Sequence, residues 1–193
     1  MKAAVARFYW GRLGNVTRVL DLGCGDGLIG ALKPSGCEVH GLDLDRARVA
    51  RLEGYASGTV WDLNDSRPLP FSTGYFDAVV AKDVLEHLNA PWRTVAEIHR
   101  VLRPGGRVMA SVICYRGRRV WSDYTHVRGF TMTTAKQLFV DGGFGVQAVW
   151  RMGAVPASSR LNAIGLVPTL LAIPPFDWLW TSSYELLAEK PAE

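Results

Sequence analysis

The residues with the clearest chemical potential form a glycine-rich turn after the first predicted strand, Asp21-Leu-Gly23-Cys-Gly25-Asp-Gly27. Glycines in such a turn permit positive φ angles and let a ligand approach the main chain closely. The dinucleotide fingerprint would need its third glycine at position 28, where the chain has leucine, and no Lys-Ser/Thr pair follows to make a phosphate-binding loop. Asp21 and Asp26 also place negative charge where a diphosphate would lie. The turn therefore favours a cation or a zwitterion as its ligand.

Acidic residues also stand at the ends of the next two predicted strands. Asp43 ends the second strand, where a carboxylate can accept both hydroxyls of a ribose. Asp62 follows the third strand and could accept an adenine amino group while Leu63 packs against the ring. Each acid alone could be a helix cap or a loop residue, but acids at three successive strand ends are harder to explain that way. The pattern predicts a nucleoside site at this edge of the sheet.

Several stretches resemble the motifs of one enzyme superfamily. VLDLGCGDG resembles the first motif of class I S-adenosylmethionine-dependent methyltransferases, and VHGLDLD resembles their ribose-binding motif. LPFSTGYFDAVVAKDVLEHL and EIHRVLRPGGRVMAS resemble the fourth-strand and fifth-strand motifs, especially those of the small-molecule type 11/12 branch. The resemblance covers about residues 17–150 and implies S-adenosylmethionine as the cofactor.

The resemblance also implies a set of cofactor-binding residues. Asp21, Gly23 and Gly25 would frame the methionine part of the cofactor, and Lys82 lies where the backbone would meet its amino group. The full predicted set is Asp21, Gly23, Cys24, Gly25, Gly27, Asp43, Leu44, Asp62, Leu63, Lys82 and His87.

The acceptor side needs a general base if the methyl group goes to a hydroxyl. The candidate bases are Asp83, His87, His99 and His126. His126 is preferred because it lies in the loop Trp121–Phe130, which follows the fifth strand and would overhang the cofactor. Tyr124 and Asp83 complete the predicted catalytic set, and the Tyr-x-His-x-Arg arrangement resembles methyltransferases that modify sugars, glycans and natural products. An alternative is that His126 and Arg128 only lock the loop onto the domain.

The acceptor itself stays open among several classes. The first hypothesis is O-methylation of a small molecule, at a sugar or natural-product hydroxyl. N-methylation and RNA methylation are alternatives, although the tetrapeptide associated with methylating planar nitrogens is absent after Ala81. A hypothesis of another class is a non-catalytic or cyclase-like adenosylmethionine-binding protein.

The elements that must position these residues alternate between strand-like and helix-like, which predicts a doubly wound, Rossmann-like α/β sheet of about seven strands. Most strands should be parallel, with an antiparallel last strand. The predicted strands are 17–22, 38–43, 58–61, 76–81, 107–113, 144–152 and 184–189, and the predicted helices are 27–32, 46–53, 133–140 and a stretch that restarts at 91 and ends at 103–106. Asp45 is placed to cap the second helix.

Length and composition bound the remaining expectations. The 193 residues suit a single domain, 1–193, with a lid-like, proline-interrupted apolar insertion at about 153–180. The three cysteines lie far apart, so neither a metal site nor a disulfide framework is predicted, and a cytoplasmic location is expected. The net charge of +4 is mild and the basic cluster at 116–119 is short. A small-molecule acceptor is therefore expected rather than nucleic acid or a membrane span, with a homodimer possible.

Overall fold

The computed structural model describes residues 2–116, 120–153 and 181–192. Its helices are α1 (Lys2–Leu13), α2 (Arg46–Val49), α3 (Pro91–Val101) and α4 (Met132–Asp141). Its strands are β1 (Arg18–Leu22), β2 (Glu38–Asp43), β3 (Ser57–Val60), β4 (Phe76–Lys82), β5 (Leu102–Ile113), β6 (Gly145–Gly153) and β7 (Thr181–Glu189). From residue 154 onward, the predicted insertion lies outside the described residues. Within the described ranges, no helix is long and apolar enough to cross a lipid bilayer.

All seven strands form one sheet in the order β3-β2-β1-β4-β5-β7-β6. Strands β1 to β5 pair in parallel, whereas β7 pairs antiparallel with both β5 and β6. This confirms the predicted doubly wound, mostly parallel sheet with an antiparallel last strand. The strand order reverses between β1 and β4, and ligands of such sheets bind beyond the carboxyl ends of the strands at that reversal.

The central strands are apolar on both sides because helices cover both faces of the sheet. Val19 of β1 and Val80 of β4 pack with α1 in one core cluster. Leu20 of β1 and Val79 of β4 pack with α3 and α4 in the other. The helix α1 was not predicted, yet it buries one whole face of the central strands, so it positions the site as much as the predicted elements do.

Local differences from the predicted elements have identifiable causes. The predicted helix at 27–32 is a run of turns that ends in a 3-10 turn, Gly30–Leu32, because Gly27 has a φ of +77°, which no α-helix contains. Asp45 caps α2 as predicted, but the helix ends at Val49. The chain then turns, and Leu52 packs against Gly41 of β2 and Gly58 of β3. Residues 103–106, expected to end a helix, belong to β5.

Asp77 of β4 links the amino ends of β1, β4 and β5 through hydrogen bonds. Its Oδ2 accepts hydrogen bonds from the backbone amides of Thr17 and Arg18 at 2.8 and 2.9 Å, and its Oδ1 accepts from Arg103 Nε at 2.7 Å. Burial acts to raise the pKa of this carboxyl, but the hydrogen bonds from Arg103, Arg18 and Thr17 outweigh burial and hold the pKa well below its ordinary value. The ionised form is therefore the one that the fold stabilises.

We expect Asp77→Asn to lower the free energy of unfolding by about 1–3 kcal/mol, because the two backbone amides and the Arg103 guanidinium lose a charged acceptor. A depressed pKa stabilises the fold above the unfolded value of about 3.9, and that stabilisation is lost as the pH falls through the folded pKa. The difference between the two proteins should therefore shrink in acid, as measured by urea unfolding from neutral to low pH. Glu53→Gln, at an exposed position, is the control. A difference that grows in acid would contradict this assignment.

Candidate cofactor and acceptor site

A cavity of 380 Å³ opens at the carboxyl edge of the sheet, beyond the ends of β1 to β4. Its size is within the range of small-molecule sites. Its lining consists of Gly23, Asp43, Leu44, Arg48, Trp61, Asp62, Leu63, Asn64, Asp83, Val84, His87, Leu88 and Thr125. Among the predicted cofactor residues, Gly23, Asp43, Leu44, Asp62, Leu63 and His87 therefore come together here. Asp21, Cys24, Gly25, Gly27 and Lys82 lie outside this lining.

The glycine turn takes a shape that only glycine adopts readily. Gly23, Gly25 and Gly27 have φ angles of +66°, +52° and +77°. At Gly23 a side chain would also be blocked, because a Cβ atom there would lie 2.9 Å from a methyl group of Val84. The positive φ angles agree with the sequence prediction, and Gly23 of this turn lines the cavity.

Asp43 joins this turn to the end of β2. Its Oδ2 accepts a hydrogen bond from Gly25 N at 2.8 Å, and its Oδ1 accepts from Asp45 N at 2.9 Å. A carboxylate oxygen has two acceptor sites, so each oxygen keeps one for a ligand hydroxyl. Asp43 can therefore hold the two hydroxyls of a ribose while it fixes the turn.

Asp21, the last residue but one of β1, is buried next to the glycine turn. It is only 2% exposed, and its Oδ2 accepts a hydrogen bond from the hydroxyl of Tyr55 at 2.5 Å. Burial raises the pKa of Asp21 to about 7, the hydrogen bond from Tyr55 opposes that rise, and the nearby charge of Asp43 adds to it. The charge beneath the glycine turn therefore changes near neutral pH.

The far end of the cavity is suited to a flat ring. The half-buried Trp61 lines it beside Leu63, and the guanidinium of Arg67 lies 4.5 Å from the Trp61 ring. Asp62 Oδ1 accepts from Asn64 N at 2.8 Å, which turns the chain and leaves the second oxygen for a ligand. Trp61 was not predicted as a site residue, although its position directly before Asp62 at a strand end was an available signal.

A second cavity of 260 Å³ adjoins the first and shares Asp83 and His87 with it. Its lining consists of Asp83, Glu86, His87, Ile113, Asp123, His126, Ser182 and Ser183. The two shared residues place the cavities side by side. Two of the predicted catalytic residues, Asp83 and His126, lie in this second cavity.

The hydrogen bonds of the two histidines fix their tautomers when the rings are neutral. The Nδ1 of His126 lies 2.7 Å from the carbonyl oxygen of Val120, which can only accept, so this nitrogen carries the proton. The Nδ1 of His87 lies 2.9 Å from the hydroxyl of Thr125, whose own proton goes to Asp123 Oδ1 at 2.6 Å. Each Nε2 is thus a lone-pair acceptor, and the ring centroids are 4.6 Å apart.

Glu86 is the residue that sequence reasoning missed. It is 1% exposed, its Oε2 has no hydrogen-bond partner among the described residues, and burial raises its pKa to about 8. Glu86, His87 and His126 each offer one acceptor atom, and these atoms lie within 4.8 Å of one another. This cluster could take up a proton or a compact cation between its members. The Glu-His pair at 86–87 was its only local signal, because His126 comes from a distant loop.

Other predicted residues lie elsewhere. Tyr124 is 98% exposed and lines neither cavity, because hydrogen bonds from Thr125 to Asp123 turn the loop and carry the tyrosine outward. His99, considered as a base, packs edge-on against Phe144 instead. Sequence spacing within a loop predicted which residues are near the site but not which way they face.

The fold is a Rossmann-like α/β domain with two adjoining cavities at the carboxyl edge of its sheet. Residues 20–110 match the family model of the methyltransferase domain. Relatives include ubiquinone biosynthesis O-methyltransferases of Aromatoleum aromaticum, 38% identical over 102 residues, and of Xylella fastidiosa, 38% identical over 107 residues. Each match covers 50% of this chain and 44% or 42% of the relative, so less than half the length of these relatives is matched.

Solved structures share the fold at low identity. A SAM-dependent methyltransferase from Archaeoglobus fulgidus aligns with a TM-score of 0.76 at 19% identity, over 98% of this chain and 95% of that one. A 4+2 cyclase, SpnF, aligns with a TM-score of 0.70 at 20% identity, over 99% and 81%. The family match over residues 20–110 and the glycine turn support the resemblance of this chain to class I S-adenosylmethionine-dependent methyltransferases. The cofactor of these methyltransferases is S-adenosylmethionine.

We expect Asp43→Ala to weaken S-adenosylmethionine binding by about 1–3 kcal/mol, which is roughly 5- to 150-fold in Kd, because ribose hydroxyls and turn amides lose their acceptor. Calorimetric titration measures the effect, and Glu38→Gln at the exposed amino end of β2 is the matched control. An unchanged Kd in Asp43→Ala would show that Asp43 serves the turn alone.

A second expectation concerns pH. Since Asp21 ionises near pH 7, affinity for the cationic cofactor should rise between about pH 6 and 8, as the carboxyl gains its negative charge. Tyr55→Phe removes a hydrogen bond that lowers the pKa of Asp21, so the rise should move to higher pH. Titrations at several pH values compare this variant with Tyr75→Phe, whose ring packs against His40 and Phe76 instead. A Tyr55→Phe profile identical to that of the parent protein would exclude Asp21 as the titrating group.

Proposed function

We propose that this protein transfers a methyl group from S-adenosylmethionine to a hydroxyl of a small, polar molecule. The observation that carries the proposal is the setting of His126 in the second cavity. Its ring is 9% exposed, and its Nδ1 is committed to the Val120 carbonyl. Nε2 is therefore left as a fixed lone-pair base beside the wall shared with the first cavity.

The first cavity fits the cofactor in size and in chemistry. Asp43 retains acceptor capacity for two ribose hydroxyls, and Trp61 and Leu63 offer a flat apolar surface for the adenine. When bound, S-adenosylmethionine supplies a methyl group on a positively charged sulfur. Asp43, Asp62 and Asp83 line this cavity, and their carboxyl groups suit a cation and disfavour a diphosphate.

His126 is placed to remove the proton of the acceptor hydroxyl. Its Nε2 lies 4.0 Å from Asp123 Oδ2. The negative charge of Asp123 is therefore close to the ring when the ring carries the extra proton. His87 presents a second Nε2 across the shared wall and can orient the same hydroxyl. The cavities together thus align acceptor and cofactor, which is the main contribution a protein makes to a displacement of this kind.

The lining of the second cavity indicates the kind of acceptor. Carboxyl groups, imidazoles and two serine hydroxyls outnumber its single aliphatic residue, Ile113. Such a lining favours a hydroxyl-rich molecule over a purely apolar one. The carboxyl groups of Asp83 and Asp123 also disfavour the phosphates of RNA. The relatives named as O-methyltransferases support transfer to oxygen rather than nitrogen.

We expect His126→Ala to lower the turnover number by about 100-fold or more, the usual scale for the loss of a general base. The Kd for S-adenosylmethionine should barely change, because His126 does not line the first cavity. The measurement is formation of S-adenosylhomocysteine with a panel of phenols, catechols and hexoses. His99→Gln, far from both cavities, is the matched control.

Two outcomes would contradict this role for His126. If His126→Ala turns over at the parental rate, deprotonation is not assisted there and a neutral amine acceptor becomes the better hypothesis. If the variant loses cofactor affinity or unfolds early, the ring serves to hold the loop 120–130 on the domain.

A further inference from the structure

Glu86 has a buried carboxyl oxygen that no group in the described part of the chain pairs with. The residue lies in a 3-10 turn, Leu85–His87, just after β4. It is 1% exposed, it lines the second cavity, and its Oε2 has no hydrogen-bond partner among the described residues. A buried polar atom without a partner costs free energy, so such atoms are rare in folded proteins. An unpaired oxygen on a residue that lines a cavity is therefore a candidate contact for a ligand.

The other polar groups of this cavity are mostly hydrogen-bond acceptors. His87 and His126 each direct the Nδ1 proton to an oxygen of the loop 120–125, so each Nε2 is a lone-pair acceptor. One atom from each of Glu86, His87 and His126 lies within 4.8 Å of the others. Asp83 and Asp123 line the same cavity, and hydrogen bonds from Thr125 hold the pKa of Asp123 below its ordinary value. Apart from two serine hydroxyls, the cavity thus has a donor only where an acid or an imidazole carries an extra proton.

A neutral Glu86 suits these surroundings better than an anion does. Burial raises the pKa of its carboxyl to about 8, the charge of Asp83 adds to that rise, and the ammonium of Lys82 opposes it. An ionised Glu86 would also be a buried charge close to the carboxyl groups of Asp83 and Asp123, which repel it. At neutral pH the side chain is therefore mainly a carboxylic acid, which can donate a hydrogen bond.

We propose that Glu86 is a substrate-binding residue whose carboxylic acid donates a hydrogen bond to a second oxygen of the acceptor, beside the hydroxyl that is methylated. The inference rests on the proposed function, because it takes the second cavity as the acceptor site. His126 receives the proton of the reacting hydroxyl, while Glu86 holds an ether, carbonyl or hydroxyl oxygen next to it. Since the binding atoms lie within 4.8 Å of one another, the two oxygens that they hold are close neighbours. The ligand class is a hydroxyl flanked by an oxygen on the adjacent carbon.

The first experiment measures, without any ligand, whether Glu86 serves binding or stability. Glu86→Leu replaces a buried acid that has an unpaired oxygen by an apolar side chain of similar size, which removes the cost of burying it. Its Tm at pH 7 should therefore equal or exceed that of the parent protein. The matched control is Glu185→Leu, because Glu185 is 5% exposed and its carboxyl accepts a hydrogen bond from Tyr9. The Tm of the control should fall by about 4 °C or more.

Equal losses of Tm in Glu86→Leu and Glu185→Leu would overturn the proposal, because the Glu86 carboxyl would then be a structural group like that of Glu185.

The second experiment tests whether Glu86 carries the proton that it is proposed to donate. A raised pKa gives stability that is fully present below the unfolded value of about 4.3 and is lost as the pH rises through the folded value of about 8. Glu86→Gln keeps a donor and an acceptor but cannot ionise. Its Tm relative to the parent protein should therefore increase from about pH 4 to about pH 8 and then level off. Glu53→Gln, at an exposed position, should show no such trend. A flat difference for Glu86→Gln would exclude Glu86 as the donor.

The third experiment tests the ligand class with two matched pairs of probes. One pair is 2-methoxyphenol and 2-ethylphenol, and the other is trans-2-methoxycyclohexanol and trans-2-ethylcyclohexanol, so the pairs separate an aromatic acceptor from a sugar-like one. Calorimetry is done with S-adenosylhomocysteine present, so that no methyl group is transferred. In at least one pair the parent protein should bind the methoxy compound about fivefold more tightly. Glu86→Gln should keep this preference, since its amide can donate, and Glu86→Leu should lose it.

The outcomes separate this proposal from the proposed function. Equal affinity within both pairs, no binding of any probe, or a preference that survives in Glu86→Leu would overturn the role of Glu86 while leaving methyl transfer intact. If the parent protein binds neither S-adenosylmethionine nor S-adenosylhomocysteine, the proposed function fails, but the Tm values of Glu86→Leu and Glu86→Gln still report whether this carboxyl is structural and whether it is protonated.

Discussion

The hydrogen bond from Gly25 N to the Asp43 carboxylate joins the two strand ends on which the site is built. It fixes a turn whose positive φ angles no other residue type adopts readily, and it leaves acceptor capacity for a ribose. The other parts of the site, at the carboxyl edge of the sheet, are positioned relative to this hydrogen bond. The adenine surface after β3 and the wall at Asp83 after β4 are placed relative to it by the parallel register of the sheet.

Three acidic residues are buried in the described structure, and one of them, Glu86, lines the second cavity. Asp21, Glu86 and Glu185 are each 5% exposed or less, and burial raises the pKa of all three. An acid kept neutral by burial costs less than a buried charge and can donate a hydrogen bond. Burial therefore favours the neutral form of these three acids, and a neutral Glu86 can donate a hydrogen bond into the second cavity.

Sequence predicted correctly those parts of the structure that depend on residues close together in the chain. The glycine turn, Asp43 at the end of β2 and the cap at Asp45 follow from local residue types, and the structure has all three. The bond between Tyr9 and Glu185 joins residues 176 positions apart and left no local pattern. Tyr124 shows the other limit, because spacing in a loop gives proximity while side-chain direction depends on turns such as the one at 123–125.

The placement of β7 between β5 and β6 has a consequence for biogenesis. During synthesis the chain makes β5 and β6 well before β7, and β6 has no partner in the described sheet until β7 is inserted. Strand pairings between residues this far apart in sequence form late and slowly, because a long loop must close first. A nascent chain from which β7 has not yet emerged would therefore carry an open sheet edge, which makes the insertion of β7 the step that completes the described sheet.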